Sequence, residues 1–155
     1  MIRPAQPQDA SQIAAIWNHA IRETTITFNP VEKPDEEVRE LTAKDCLVWE
    51  DAGRILGFAR YFQFRGGEGY RFTVEHTIML HKDAHGQGIG RQLMEALCAH
   101  AAAAGKHSMF AGCSAENAGA VAFHARLGFA KVATLPEVGF KFGRWIDLVL
   151  MQKTL

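Results

Sequence analysis

The side chains best suited to chemistry lie between positions 70 and 91. His85-Gly86-Gln87-Gly88-Ile89-Gly90-Arg91 place three glycines after an alternating apolar run and before an alanine- and leucine-rich stretch. Glycines at such a strand-to-helix turn let the backbone come close to a ligand. The free N–H groups of the helix's first turn favour an anion, here most simply a phosphate. Upstream, Tyr70-Arg71-Phe72-Thr73-Val74-Glu75-His76 offers a guanidinium and a carboxylate four residues apart. On an extended strand Arg71, Thr73, Glu75 and Thr77 share one face, opposite Val74 and His76. Glu75 is therefore a candidate general base or ammonium ligand, and Arg71 a candidate bidentate partner for a carboxylate. A free Glu side chain titrates near about 4.3 and is a weak base towards an ammonium. It would act through water, or with its pKa raised by desolvation. The alternatives are a solvated Arg at a strand end and a salt-bridged surface Glu.

Other chemistries fit the residues poorly. The dinucleotide pattern GxGxxG fails, because Leu93 stands where the third glycine would follow Gly88 and Gly90. The P-loop pattern GxxxxGK[ST] fails as well, since no Lys-Ser or Lys-Thr follows the glycines. His81 and His85 have metal-like i, i+4 spacing but no third ligand, so no metal is expected. Cys46, Cys98 and Cys113 are odd in number and lack C-x-x-C spacing, which fits free thiols in a reducing cytosol. Basic and acidic side chains balance at 17 each and no Lys/Arg block occurs, so a nucleic-acid partner is not expected. No apolar run approaches the roughly 20 residues of a membrane span. Met1-Ile2-Arg3-Pro4 enters a globular pattern at once, without a secretory h-region, so a cytoplasmic protein is expected.

The elements that must position these groups follow from periodicity. The 155 residues suit one domain, 1–155. Asp9, with Gln12 in the capping-box position, predicts the start of a helix carrying Ile13, Ile16, Trp17, Ala20 and Ile21. A short helix is predicted over 35–44. Strands are predicted over 47–50 and 55–64, joined by an Asp51-Ala52-Gly53-Arg54 turn, and over 72–80. A long helix over 88–104 should end at Gly105. A strand over 107–113 and an Asn117-capped helix to Leu127 should follow, then strands over 129–134 and 144–152. With a strand at the N-terminus, the order is β-α-α-β-β-β-α-β-α-β-β. That is an α/β (α+β) chain with a central mixed twisted sheet of six to seven strands and about four helices.

The glycine loop resembles the pyrophosphate loop of the GNAT acetyltransferase superfamily, [Arg/Gln]-x-x-Gly-x-[Gly/Ala]. Gly88 and Gly90 match it, while His85 departs from the usual Arg or Gln. Glu116 to Phe129 resembles that superfamily's later motif, an Asn-opened helix ending in Gly-Phe. His124 stands where many members have a Tyr that can protonate the leaving thiolate, and His there resembles the phosphinothricin and methionine sulfone (sulfoximine) N-acetyltransferases. Ile2 to Ala5, Tyr70 to His76 and Gly139 to Asp147 resemble the same branch.

The resemblance implies a GNAT fold and an acetyl-CoA cosubstrate. Pantetheine would lie along the backbone of Ile78, Met79 and Leu80. Pyrophosphate would lie on His85, Gly86, Gln87, Gly88, Ile89, Gly90 and Arg91, with Asn117 nearby. It implies Glu75 and His124 as catalytic residues, with simple packing as the alternative for His124. Tyr70, Arg71, Glu75 and Phe28, on a loop with Thr25 and Thr27, would bind the acceptor. That acceptor would be a small amino-acid analogue whose acetylation confers resistance to it, and members of the branch are commonly homodimers. Rival readings are an acetyltransferase for protein N-termini or polyamines and a non-catalytic acyl-CoA-binding sensor.

Overall fold

The computed structural model describes all 155 residues. In chain order the elements are β1 (Ile2–Pro4), α1 (Ala10–Glu23), α2 (Asp35–Leu41), β2 (Cys46–Asp51), β3 (Arg54–Gln63), β4 (Thr73–Leu80), α3 (Ile89–Ala103), β5 (Ser108–Ser114), α4 (Ala118–Arg126), β6 (Ala130–Lys141) and β7 (Arg144–Thr154). The seven strands form one mixed sheet in the order β1-β2-β3-β4-β5-β7-β6. Every pairing is antiparallel except β4 with β5. The expected α/β architecture, with seven strands and four helices, is the one observed.

Each face of the sheet has its own core. Ile13, Trp17, Ala20 and Ile21 of α1 and Val38 of α2 pack against Val48, Ile55, Phe58 and Met79. On the other face, Ile89, Leu93, Leu97 and Ala101 of α3 pack with Val74, Met109, Ala111 and Met151. The apolar stripe expected of the long helix is the stripe that is buried. Its close approach to the sheet rests on Gly57 of β3, where a Cβ would stand 2.6 Å from Leu80 Cδ2 and 3.1 Å from Leu93 Cδ1.

Local punctuation behaves as the sequence predicts at several points. Ala52 and Gly53, with φ of 49° and 82°, make a two-residue turn whose twist suits a hairpin. Gly105 and Gly128 terminate their helices with left-handed φ of 82° and 91°. Asn117 Oδ1 accepts from Ala120 N at 3.0 Å and caps α4.

Other expectations are corrected. Asp9 precedes α1, but its carboxylate does not cap it; it binds the Arg3 guanidinium at 2.8 and 3.0 Å and Gln6 N at 2.7 Å. An ion pair outbids a cap here because β1 brings Arg3 alongside. Gln12 instead ties α1 to the β2–β3 hairpin through Gly53 O and Ile55 N. The helix expected over 35–44 ends at Leu41, where Thr42 Oγ1 bonds back to Val38 O at 2.8 Å. β6 runs on past Thr134 to Lys141, because a register shift between Leu135 and Gly139 absorbs Pro136 and the left-handed Glu137 on an edge strand.

Gly57→Ala should lower stability by about 1–3 kcal/mol, the usual range for overpacking a filled site. Urea unfolding checks this as a fall in midpoint at constant slope.

Candidate active site

The site begins where the sheet splits. β4 and β5 pair only at Thr73↔Ser108, Val74↔Met109 and Glu75↔Phe110. Beyond Glu75, β4 stays on β3 as far as Leu80, and β5 stays on β7 as far as Ser114. The two strands part, and a cavity of about 800 Å³ opens between them and reaches both faces. Among its walls are Phe28, Glu75, Ile78, Met79, Leu80, His85, Gly90, Asn117 and His124. A second cavity of about 400 Å³ continues past Leu80 along Gly86, Gly88, Ile89, Gly90 and Arg91. Most of the residues singled out in the sequence thus meet along one cleft.

The glycine loop has the geometry an anion needs. Gly86 and Gly88 take φ of 78° and 72°, and α3 starts directly after them. None of the six backbone N–H groups from Gly86 to Arg91 donates to an acceptor within the chain. They crowd the positive end of a 15-residue helix, which suits a pyrophosphate. Gly90 is needed for closeness, since a Cβ there would stand 3.3 Å from Leu80 and 3.4 Å from Phe123. Gln87 lines neither cavity; its side chain donates to Asp83 O at 2.8 Å. The Arg91 guanidinium is paired with Glu95 at 2.8 Å. Arg126, in the last turn of α4, also lines this part of the cleft. Only the fold brings Arg126 here, and no spacing in the sequence announces it.

On the α1–α2 face of β4, Glu75 is half-buried and forms no ion pair. Burial pushes its carboxyl above the ordinary value. Gly112 on β5 leaves it room, because a Cβ there would stand 3.5 Å from Glu75 Oε2. Trp17, Thr27, Phe28, Lys33, Arg60 and Phe62 complete this side of the cavity. Arg60 was not singled out from the sequence. Its signal was present: it is the one charge inside the run Ile55 to Phe62.

The segment bearing Thr27 and Phe28 is fastened from the far end of the chain. Lys141 is 3% exposed, and its Nζ donates to Thr24 O at 2.6 Å and Thr27 O at 2.7 Å. Burial lowers its pKa, which is the expected response of a desolvated ammonium. The Phe28 ring lies against Gly139, where a Cβ would fall 2.5 Å from it. Thr25 reaches Glu116 at 3.3 Å, and Glu116 is held by Arg144 at 2.7 and 2.8 Å.

Tyr70 and Arg71 stand elsewhere. β4 begins only at Thr73, so Arg71 lies on the preceding turn and not on the face of Glu75. Its guanidinium bonds Glu68 O at 3.0 Å and covers the Phe72 ring. Neither residue lines the cleft of this chain.

His124 is buried and meets His76, with Nε2 to Nε2 at 3.1 Å. Its Nδ1 is 2.7 Å from Ala120 O, which can only accept, so Nδ1 carries the hydrogen. Nε2 of neutral His124 is then the acceptor, and His76 Nε2 the donor. His76 Nδ1 is left as a buried lone pair without a partner. Burial lowers both pKa values, that of His76 to about 3, with the His124 charge adding to the effect. The single N–H of His124 is committed to Ala120. This arrangement weighs against the expected proton relay and favours packing.

Comparison with known proteins agrees with this geometry. Residues 13–129 match the acetyltransferase (GNAT) family, and the chain belongs to that family. A relative in Salmonella typhimurium, L-methionine sulfoximine/L-methionine sulfone acetyltransferase, is 39% identical over 99% of this chain and 94% of its own length. Two solved structures superpose closely. A phosphinothricin acetyltransferase of the GNAT superfamily from Sinorhizobium meliloti, in complex with acetyl-CoA, has a TM-score of 0.94 at 28% identity, over 100% of this chain and 88% of that one. A ribosomal-protein-alanine N-acetyltransferase from Brucella melitensis has a TM-score of 0.96 at 36% identity, over 100% and 99%. The protein is therefore a GNAT N-acetyltransferase that uses acetyl-CoA, and no helix in it is long and apolar enough to cross a membrane.

Lys141→Met removes the ammonium and leaves the carbonyls of Thr24 and Thr27 without their donor. A loss of about 1–3 kcal/mol in thermal or urea unfolding is expected. The KM of the amine acceptor should rise several-fold while that of acetyl-CoA holds, because only the Phe28 segment is loosened. Equal rises in both would mean general disruption.

Proposed function

We propose that the enzyme acetylates the α-amino group of a small amino-acid analogue of the methionine sulfone, methionine sulfoximine or phosphinothricin type, in the cytosol. The observation that carries this reading is Glu75. It is a carboxylate without an ion-pair partner, raised in pKa, on the face of β4 that closes against Trp17, Phe28 and Phe62. The names of the relatives support the same acceptor class.

The cosubstrate supplies an activated acyl group as a thioester. Free backbone groups on the β5-facing edge of β4, from His76 to Leu80, suit the pantetheine arm and an N–H directed at the thioester carbonyl. The glycine loop and α3 terminus suit the pyrophosphate. Glu75 takes a proton from the acceptor ammonium, directly or through a water. The freed amine forms the C–N bond as the C–S bond breaks, the proton that the nitrogen then sheds passes to the departing CoA thiolate, and no acyl group is placed on the protein. The cleft between the two parted strands supplies orientation, which would bring the reactants within near-attack range.

The likeness to the ribosomal-protein-alanine acetyltransferase favours a second reading, a peptide α-amine as acceptor. A polyamine is disfavoured by Lys33 and Arg60 in the acceptor wall. Thiol release with methionine sulfone, methionine sulfoximine, phosphinothricin, spermidine and an alanine-headed peptide separates these readings. Turnover confined to the peptide would overturn the amino-acid reading, and acetyl-CoA binding without any turnover would leave a sensor.

Glu75→Gln should lower kcat by about 10²–10⁴ with acetyl-CoA affinity retained by calorimetry. The wild-type rate should fall with decreasing pH through a pKa above the ordinary carboxylate range, because protonation removes the base. The variant should lack that limb, and an unchanged kcat would remove Glu75 from the role.

We also read the chain as a homodimer. Val138, Phe140, Phe142 and Trp145 stand exposed on the β6–β7 hairpin, Trp145 at 63%, and apolar groups so grouped suit a second copy. Sedimentation equilibrium should give twice the chain mass, and Trp145→Glu should shift it towards the monomer. A wild-type monomer at micromolar concentration would sink the reading.

A further inference from the structure

Two cations on the acceptor side of the cleft have no role in the mechanism above. Arg60 of β3 pairs across the sheet with Thr77, and Phe62 pairs with Glu75. Arg60 is therefore the diagonal neighbour of Glu75 on the same sheet face, a spacing of about 7–8 Å between backbones that long side chains bridge. Its Nε donates to Leu41 O at 3.0 Å. Its two terminal nitrogens bond to nothing in the chain, and no carboxylate lies within 4 Å of it. The guanidinium rests between the rings of Phe62, at 4.8 Å, and Trp17, at 5.9 Å. Lys33 reaches the same Trp17 ring, with Nζ 5.2 Å from its centre, and its only anionic contact is a 3.5 Å approach of the largely exposed Glu37. Arg60, Phe62, Trp17 and Lys33 all line the cavity.

A half-buried guanidinium with four N–H groups unspent is an unusual thing to keep without an anion. Burial lowers its pKa, and the more distant Cys46 and Asp45 offset that desolvation only in part. The two rings hold the guanidinium by cation–π contact and leave its terminal N–H groups free for a bidentate acceptor.

We propose that Arg60, backed by Lys33 across Trp17, is a specificity subsite for a second negative charge on the acceptor, a side-chain phosphinate or carboxylate. This deepens the amino-acid reading above and rests on it. The amine sits at Glu75 and the side-chain anion at Arg60, so the enzyme favours acidic acceptors such as phosphinothricin over neutral ones such as methionine sulfone.

The test compares kcat/KM for phosphinothricin, L-glutamate and L-methionine sulfone in the wild type and in Arg60→Gln. The glutamine amide can still donate to Leu41 O, so the variant removes the charge while keeping that bond. Arg60→Lys retains a cation without the fork, and thermal unfolding of both variants controls for folding. The expected result is a wild-type preference for phosphinothricin. Arg60→Gln should cut that preference by about 10- to 100-fold, in line with charged hydrogen bonds of about 1.5–3 kcal/mol, with Arg60→Lys between. An equal loss on all acceptors would overturn the subsite and assign Arg60 to the α-carboxylate or to support of α2. No change in the ratio would also overturn it. If the wild type turns over none of the three but acetylates a peptide, the amino-acid reading itself fails and the subsite falls with it.

Discussion

The short parallel pairing between β4 and β5 is the constraint on which the rest depends. β5 is bound to β7 over all seven of its residues, and β4 is bound to β3 from Val74 to Leu80. Each strand is therefore anchored on its outer edge, and the twist of the sheet draws their inner edges apart after three residues. Backbone groups along those inner edges lose their strand partners. Unpaired buried N–H and C=O groups are costly, so such an edge persists only where water or a ligand can reach it. The cleft follows from the topology. The glycine loop lies at its mouth because β4 ends at Leu80 and α3 starts at Ile89, with Gly57 and Gly90 letting that helix settle tightly enough to direct its N–H groups into the opening.

Period-two alternation along β4 then divides the chemistry between two faces. His76, Ile78 and Leu80 look towards α3 and α4, and Glu75, Thr77 and Met79 towards α1 and α2. On the first face, apolar side chains surround a histidine pair whose pKa values burial lowers. On the second face stand Glu75 and Arg60, neither with an ion-pair partner, and Lys33, which meets only Glu37 at 3.5 Å. Charge left uncompensated in a folded chain is the mark of a site awaiting an oppositely charged ligand. The acceptor proposed above, with an ammonium and an anion on one small molecule, would satisfy both signs together.

The sequence discloses the features that are settled within a few residues. The Ala52-Gly53 turn, the Gly105 and Gly128 terminators, the Asn117 cap and the glycine loop each depend on backbone conformations that local residue types dictate. The strand face of Glu75 was legible for the same reason, because alternation needs no knowledge of neighbours. What could not be read depends on which strands and helices lie side by side. Asp9 looked like a helix cap until β1 brought Arg3 to it. Arg71 looked like a strand residue because nothing near it announces that the turn after Gly69 lasts until Phe72. Arg60 is merely a charge in an apolar run until the register with β4 sets it diagonal to Glu75. For His124, relay and packing stand as equal alternatives in the sequence, because its buried neighbour, His76, is 48 residues away and no spacing announces it.

The acceptor wall shows how far such non-local terms reach. Thr27 and Phe28 follow the first helix, yet their position is fixed by Lys141 and Gly139, more than 100 residues later. A buried ammonium is tolerable only while its protons are matched, so Lys141 holds two carbonyls of that segment or destabilises the hairpin that carries it. Gly139 has the complementary constraint, since any side chain there would displace the Phe28 ring. The C-terminal hairpin thus positions the Phe28 wall of the cleft, while the glycine loop owes it nothing. The same hairpin exposes Phe140, Phe142 and Trp145 to solvent. A second copy seated on those residues would bear on Lys141 and Gly139, and through them on Phe28.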